Sequence, residues 1–159
     1  MIVRPATPAD APAMNLLQNA IIALGGTTAH QRPKTEAQVR ADYIDGPGTL
    51  TCMVAEEDGR VIGFQAVGTS PALPEGWGDI GTFVAAGLQA KGTGAAMFAA
   101  TRAALRGKGL TTLNATIRAD NVPGLAYYAR MGFTDYAHDP DWTLEDGRKV
   151  GRISRRLAL

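Results

Sequence analysis

Residues 89–94 read Gln-Ala-Lys-Gly-Thr-Gly and run straight into the small-residue stretch Ala-Ala-Met-Phe-Ala-Ala-Thr-Arg-Ala-Ala-Leu. Two glycines and a lysine at the mouth of a good helix serve one of two ends. One is a strand-to-helix turn whose backbone angles glycine tolerates best. The other is an anion cradle, in which backbone N–H groups at a helix start point outward, the helix dipole favours negative charge, and glycine keeps side chains clear. The natural ligand of such a cradle is a phosphate. Two familiar nucleotide patterns fail on spacing. A dinucleotide fingerprint wants G-x-G-x-x-G near the first strand and an acidic residue about 20 positions on; here the third glycine is missing and the motif follows the fourth strand. A P-loop carries its lysine after the final glycine, whereas Lys91 precedes Gly92.

The elements that must position this turn follow from hydrophobic periodicity. A short strand in Met-Ile-Val-Arg-Pro-Ala leads to a helix with Thr7 or Asp10 as cap, an apolar stripe of Met14, Leu17, Ile21 and Leu24, and a glycine stop. After a loop, Thr35 opens a second helix that runs to Gly-Pro-Gly at residues 46–48. Two β-rich runs around Asp58 and Gly59 form a hairpin, and another strand starts at Trp77. Residues 95–106 form a helix closed by Gly-Lys-Gly. A strand with Leu113, Ala115 and Ile117 on one face follows, then a short helix in Asn-Val-Pro-Gly-Leu-Ala-Tyr-Tyr-Ala-Arg-Met, then two strands with a turn at Asp146 and Gly147. The order β-α-α-β-β-β-α-β-α-β-β predicts one α/β domain over residues 1–159 with a mixed sheet. It is not doubly wound, because three strands run together before the third helix.

Bulk properties narrow the function. A chain of 159 residues is long enough to bury one core without staples. Its 45% hydrophobic and 19% charged residues are ordinary for a soluble globular protein. A formal net charge of +1 and the lack of a long basic run argue against a nucleic-acid partner. The basic C-terminal stretch alternates as a strand with a solvated face. Cys52 has no second cysteine to pair with, which suits a reducing compartment, and its apolar surroundings make it a small hydrophobe. No segment reaches the roughly 18 apolar residues of a membrane span or carries a signal-type apolar stretch. The expectation is a cytoplasmic protein with no membrane partner.

Gln89, Gly92, Gly94 and Ala95, placed between a strand and a long helix, form Gln-x-x-Gly-x-Gly-Ala. This resembles the pyrophosphate-binding motif of the GNAT superfamily, the acetyl-CoA-dependent N-acetyltransferases. A second block, Asn-Ala-Thr-Ile-Arg-Ala-Asp-Asn-Val-Pro-Gly-Leu-Ala-Tyr-Tyr-Ala-Arg-Met-Gly-Phe at residues 114–133, is similar to the superfamily's stretch in which Asn opens the last helix, Tyr follows seven residues on, and Gly-Phe closes it. Asn121, Tyr128, Gly132 and Phe133 hold those positions. The two blocks and their flanks cover about residues 77–137, and the element order fits from end to end. The narrower look is of the branch that includes phosphinothricin and methionine-sulfoximine acetyltransferases, through Ile-Arg-Ala-Asp-Asn and through Thr27, Thr28 and the Thr35-Glu36 helix start.

The resemblance implies a GNAT-type mixed, mostly antiparallel twisted sheet flanked by helices, acetyl-CoA as co-substrate, and no metal. It implies that backbone N–H groups from Lys91 through Gly92, Thr93, Gly94, Ala95, Ala96 and Met97 face the pyrophosphate, with Gln89 adding a phosphate or turn contact. The family often has Arg at the position of Gln89 and Pro at that of Ala86. Lys91 either touches a phosphate or is simply exposed. Phe83, Val84 and Ala86 are implied to offer backbone groups to the pantetheine arm as an added strand would, with the N–H near Val84 at the thioester oxygen.

Tyr128 is then the general acid, since a phenol with a pKa of about 10 is protonated at neutral pH; the alternative is a packed aromatic. Tyr127 is set aside because helix neighbours one apart do not share a face. Asn121 contacts CoA, caps its helix, or does both. Asp79 is the general base or a solvated turn residue, with His30 and water as rivals. Thr27, Thr28, His30 and Trp77, with Tyr43 and Phe64, would line a compact pocket for a small substrate. The implied activity is direct acetyl transfer, in a ternary complex, to the primary amine of a small amino-acid-like molecule. Two alternatives stand beside it: protein or peptide N-acetylation, and a non-catalytic acyl-CoA-binding module. A homodimer is expected, paired through an edge or a face of the C-terminal strand.

Overall fold

The hairpin around Asp58 and Gly59 forms the spine of the sheet. Both turn residues have positive φ, 51° and 76°, the combination that matches the twist of two antiparallel strands. It joins β2 (Thr49–Glu57) to β3 (Arg60–Gly68). Each strand is buried over several consecutive residues, Cys52 to Ala55 in β2 and Gly63 to Val67 in β3, as befits strands covered on both faces. The computed structural model describes residues 1–88 and 92–159. Gln89 and Lys91, both expected at the phosphate turn, lie outside the described residues.

Around that spine stand β1 (Ile2–Pro5), β4 (Trp77–Val84), β5 (Thr112–Arg118), β6 (Thr134–Asp139) and β7 (Arg152–Ala158), in the order β1-β2-β3-β4-β5-β7-β6. Among these pairings only β4 with β5 is parallel. The α/β class, the mixed and mostly antiparallel sheet, and the element order all agree with the sequence reading. The C-terminal strand does not offer a free edge, however. β7 lies between β5 and β6 and is paired on both sides, so the expected route to a dimer through its edge is closed. The outer strands are β1 and β6.

Helices cover both faces. α1 (Ala11–Leu24) follows a single 3-10 turn (Pro8–Asp10) and stops at Gly25, whose φ is 69°. α2 (Glu36–Val39) is capped reciprocally by Thr35 and Gln38, but α-helical bonding lasts only one turn before a π turn (Arg40–Ile44) widens it. α1, α2 and one face of the sheet enclose Met14, Leu17, Val39, Val54, Phe64 and Ala66. Cys52 belongs to this cluster, and burial pushes its thiol up to about 12, so it acts as a small hydrophobe. On the other face, α3 (Thr93–Leu105) and α4 (Val122–Arg130) enclose Val67, Ile80, Phe98, Leu113, Ile117 and Phe133.

One feature of the sheet creates a site. β4 pairs with β5 only through Trp77, Gly78 and Asp79, opposite Thr112, Leu113 and Asn114. From Ile80 to Val84, β4 continues in register with β3 alone. The two strands thus part in the middle of the sheet, and the helix after each strand begins beyond the gap.

Candidate active site

The parted edge of β4 is defined by its register. The Ala85 N–H donates to the Ile62 carbonyl at 2.9 Å, and Phe64 is opposite Phe83. In an antiparallel ladder alternate residues aim both backbone groups at the same neighbour. Phe83 therefore shares the orientation of Ala85, toward β3, while Thr82 and Val84 aim their backbone groups toward the side from which β5 departs. This corrects the expectation for Phe83, whose backbone is turned away from the gap and whose ring stacks on Phe64 with centroids 4.8 Å apart. Ala86 lies past the strand in an exposed turn closed by Leu88 N–H to the Ala85 carbonyl.

At the mouth of α3 the two glycines have different reasons. Gly92 is the N-cap with φ 78°, and among the described residues nothing stands within 4 Å of where its Cβ would be; it serves the turn. Gly94 is buried, and a Cβ there would sit 2.6 Å from Cε1 of Tyr127. It is glycine because a tyrosine ring lies against it, which is not the ligand-approach reason the motif suggests. The Ala96 N–H is bonded to the Gly92 carbonyl at 3.1 Å, and the Met97 side chain is fully buried. Both belong to the body of the helix, so the donors without an acceptor inside it are those of Gly92, Thr93, Gly94 and Ala95.

Tyr127 and Tyr128 both reach the gap, against the expectation that only one of them would. Their rings meet edge to face with centroids 4.9 Å apart. The long phenol arms converge although their Cβ atoms diverge. The Tyr127 hydroxyl donates to the Gly94 carbonyl at 2.8 Å and accepts from Nε2 of Gln65 at 3.0 Å. The Tyr128 hydroxyl lies 2.8 Å from Oγ1 of Thr82, which in turn accepts from Nε2 of Gln65 at 2.9 Å. Tyr128 is buried, and loss of solvation holds its phenol well above the ordinary range, with the Asp79 charge adding to the shift. Gln65 is fully buried, and its Oε1 has no partner among the described residues.

Asp79 stands at the last β4–β5 pair, where the strands part. It accepts from Nδ2 of Asn114 at 2.9 Å, and the Asn114 carbonyl oxygen accepts from the Tyr136 hydroxyl. Tyr136 sits at a bulge in β6, between Asp135 and Ala137. Low solvation raises the Asp79 carboxyl above its usual value, partly offset by the Asn114 amide. Trp77 packs edge-on against Tyr136, with centroids 5.5 Å apart, so it belongs to this cluster.

The remaining candidates divide. Asn121 caps α4, its Oδ1 accepting the Gly124 N–H at 3.0 Å, and its Nδ2 donates to the Thr27 carbonyl at 3.0 Å. Arg118, almost fully buried, grips Asp120 with two bonds and donates Nη1 to the Thr28 carbonyl at 2.9 Å. Thr27 and Thr28 are thereby tied to the end of β5 and the start of α4. His30 keeps other company: it lines a cavity of about 180 Å³ with Gln31, Lys34, Gln38 and Glu145. Loss of solvation and the Lys34 charge lower its imidazole below the usual value.

Sequence reasoning missed Gln65, Thr82, Asn114 and Tyr136. Gln65 carried a usable signal, a polar residue in the middle of an apolar strand, which must find partners when buried. Among the described residues no group of three or more His, Cys, Asp or Glu is arranged to hold a metal.

The family model described as "Acetyltransferase (GNAT) family" matches residues 20–133. No curated protein matches the chain in sequence. Solved structures share its fold over nearly the full length. A ribosomal-protein-alanine N-acetyltransferase from Brucella melitensis superposes with a TM-score of 0.85 at 20% identity, covering 100% of both chains. A phosphinothricin acetyltransferase from Sinorhizobium meliloti, in complex with AcCoA, gives 0.84 at 19% identity, covering 99% of this chain and 88% of that one. A GCN5-related N-acetyltransferase from Kribbella flavida gives 0.83 at 22%, covering 99% and 97%.

Proposed function

The chain belongs to the acetyltransferase (GNAT) family, and from that premise we propose that it moves the acetyl group of acetyl-CoA directly to the primary amine of a small, amino-acid-like molecule. The observation that carries this reading is the parting of β4 from β5 beyond Asp79. A gap at that point gives a thioester arm access to a strand edge, with a carboxylate at its base and a phenol at its side. The solved phosphinothricin acetyltransferase with AcCoA supports both the donor and the class of acceptor.

Acetyl-CoA, when bound, supplies the activated thioester; the residues of the chain do the rest. The first-turn N–H groups of Thr93, Gly94 and Ala95, with the α3 dipole, suit a pyrophosphate, and the glycine at position 92 adds no side chain beside it. The backbone of Val84, on the side from which β5 departs, lies where the family resemblance expects a contact to the thioester carbonyl. Low solvation raises the Asp79 carboxyl, which makes its carboxylate form a better acceptor for a proton from the amine. Tyr128, kept protonated by burial, gives a proton to the departing sulfur. His30 is the less favoured base, because loss of solvation, and after it the Lys34 charge, lowers its imidazole below the usual value. Asn121 holds the loop through the Thr27 carbonyl, which supports a closed, small substrate pocket.

Acetyl-CoA assayed for free-thiol release against methionine sulfoximine, phosphinothricin, polyamines, aminoglycosides, amino acids and an alanine-ended peptide tests the proposal. Turnover is expected with an amino-acid-like amine. Turnover with the peptide alone would replace the small-molecule reading with peptide acetylation. Binding of acetyl-CoA by calorimetry without turnover of any amine would overturn the enzymatic reading.

A further inference from the structure

The hydroxyl of Tyr128 is the end of a hydrogen-bonded chain whose proton order can be worked out from its partners as far as the Thr82 hydroxyl. The Gln65 amide has two N–H bonds, spent on Tyr127 Oη at 3.0 Å and Thr82 Oγ1 at 2.9 Å. Tyr127 spends its own proton on the Gly94 carbonyl at 2.8 Å, so its oxygen must accept from Gln65. That requirement orients the Gln65 amide: turned over, it would set a carbonyl oxygen against a hydroxyl with no proton left to give. The Oε1 is accordingly the end without a partner among the described residues. Thr82 Oγ1, having accepted from Gln65, keeps one proton, and its other partner is Tyr128 Oη at 2.8 Å.

We propose that Gln65 and Thr82 are positioning residues that donate in one direction, Gln65 N–H to Thr82 Oγ1 and Thr82 O–H to Tyr128 Oη, so that the proton of Tyr128 is aimed into the gap. The inference rests on the acid role given to Tyr128 above. In the transfer step the amine nitrogen bonds to the acetyl carbon, and the carbon–sulfur bond breaks with its electron pair on sulfur. The amine proton passes to the Asp79 carboxylate and the Tyr128 proton to sulfur. Tyr128 is left as a phenolate with the Thr82 hydroxyl pointing its proton at the new charge, and exchange with water resets both side chains. A phenol in an apolar core is reluctant to ionise, so a donor already aligned with its oxygen acts where the cost is greatest.

The test uses Thr82→Val, which keeps shape and loses the hydroxyl, Thr82→Ser, which restores it, and Gln65→Met. Each is made in the wild-type and the Tyr128→Phe proteins, and each is assayed with the best amine of the panel. In Thr82→Val, kcat is expected to fall about tenfold, the factor carried by one hydrogen bond of ordinary net strength, with the acetyl-CoA Kd unchanged. Thr82→Ser recovers most of it, and neither change costs anything further in Tyr128→Phe. In the free protein the Gln65 side-chain N–H pair, assigned in nitrogen-15 spectra by its disappearance in Gln65→Met, shifts in Thr82→Val and returns in Thr82→Ser.

An unchanged kcat in Thr82→Val, an equal loss in the Tyr128→Phe background, or an unmoved Gln65 signal would each overturn the chain while leaving Tyr128 as the acid. If Tyr128→Phe itself retains full kcat, the acid role falls and the chain with it. Should Thr82→Val fail to fold, Gln65→Met carries the same comparison, a kcat loss at constant Kd that vanishes in Tyr128→Phe.

Discussion

Tyr127 and Tyr128 are neighbours in sequence whose hydroxyls have unlike partners. Tyr127 gives its proton to the Gly94 carbonyl; Tyr128 has a hydroxyl partner that can donate to it. Tyr128→Phe keeps the packing against Phe133 and removes only the donor. It should lower kcat by roughly 10²–10⁴ with acetyl-CoA affinity nearly unchanged by calorimetry. The pH dependence follows from the direction of each shift. Because Tyr128 is raised, its acid form persists as pH rises, and no falling limb from it should appear below about pH 10. Because Asp79 is raised, its base form is lost, as pH falls, at a value above the ordinary carboxylate pKa of about 3.9. Asp79→Asn should remove that limb, and its defect should shrink at high pH, where the amine is already deprotonated. A pH–rate profile in which the Asp79→Asn defect is constant would assign the base elsewhere. The family resemblance pointed to Tyr128 and Asp79 in the sequence. Thr82 and Asn114 were not legible there, because an isolated hydroxyl or amide on a strand looks the same whether or not an acid lies within its reach.

At the scale of elements, the mouth of α3 shows how one motif can serve two physical ends. Gly92 meets a backbone need, since its φ of 78° is a conformation other residues adopt at a cost. Gly94 meets a packing need imposed by α4, an element some thirty residues further along the chain. Gly94→Ala should therefore destabilise the protein by about 1–3 kcal/mol, the range for an overfilled core site, despite alanine's better helix propensity. The same substitution in a Tyr127→Leu background should cost less, because the ring atoms it strikes are gone. Thermal melts of the four proteins check this, and equal losses in both backgrounds would refute the contact. The glycine pattern was legible as a pattern, but the contact between two helices was not. Local sequence carries backbone preference, whereas the ring of Tyr127 arrives only through the packing of the sheet.

At the scale of the whole molecule, the N-terminal edge is closed by Arg4 of β1, which donates to Asp10 at 2.9 Å and to Glu56 of β2 at 2.9 Å. The Asp10 carboxylate also accepts the Thr7 N–H at 2.8 Å, so one charge ties the first strand, the start of α1 and the second strand. Arg4, more than the other causes, holds the Asp10 carboxyl below its usual value. A carboxyl lowered by folding stabilises the native state above its unfolded pKa, and the contribution is lost as pH falls through the folded value. Asp10→Asn should thus lower Tm at pH 7, and the gap from wild type should narrow below about pH 4. A gap that is constant with pH would show that the carboxylate charge is not what matters.

The order of elements, the α/β class and the family were determined by sequence alone, because periodicity, caps and turn glycines act over a few residues and two spaced motifs name the elements that carry them. The strand order β1-β2-β3-β4-β5-β7-β6 and the enclosure of β7, the turning of Phe83 toward β3, and the meeting of Gln65, Thr82 and two tyrosines were decided only by tertiary structure. Each depends on register and on contacts between residues tens of positions apart, and a side chain's partners across a sheet leave no trace in its own neighbourhood.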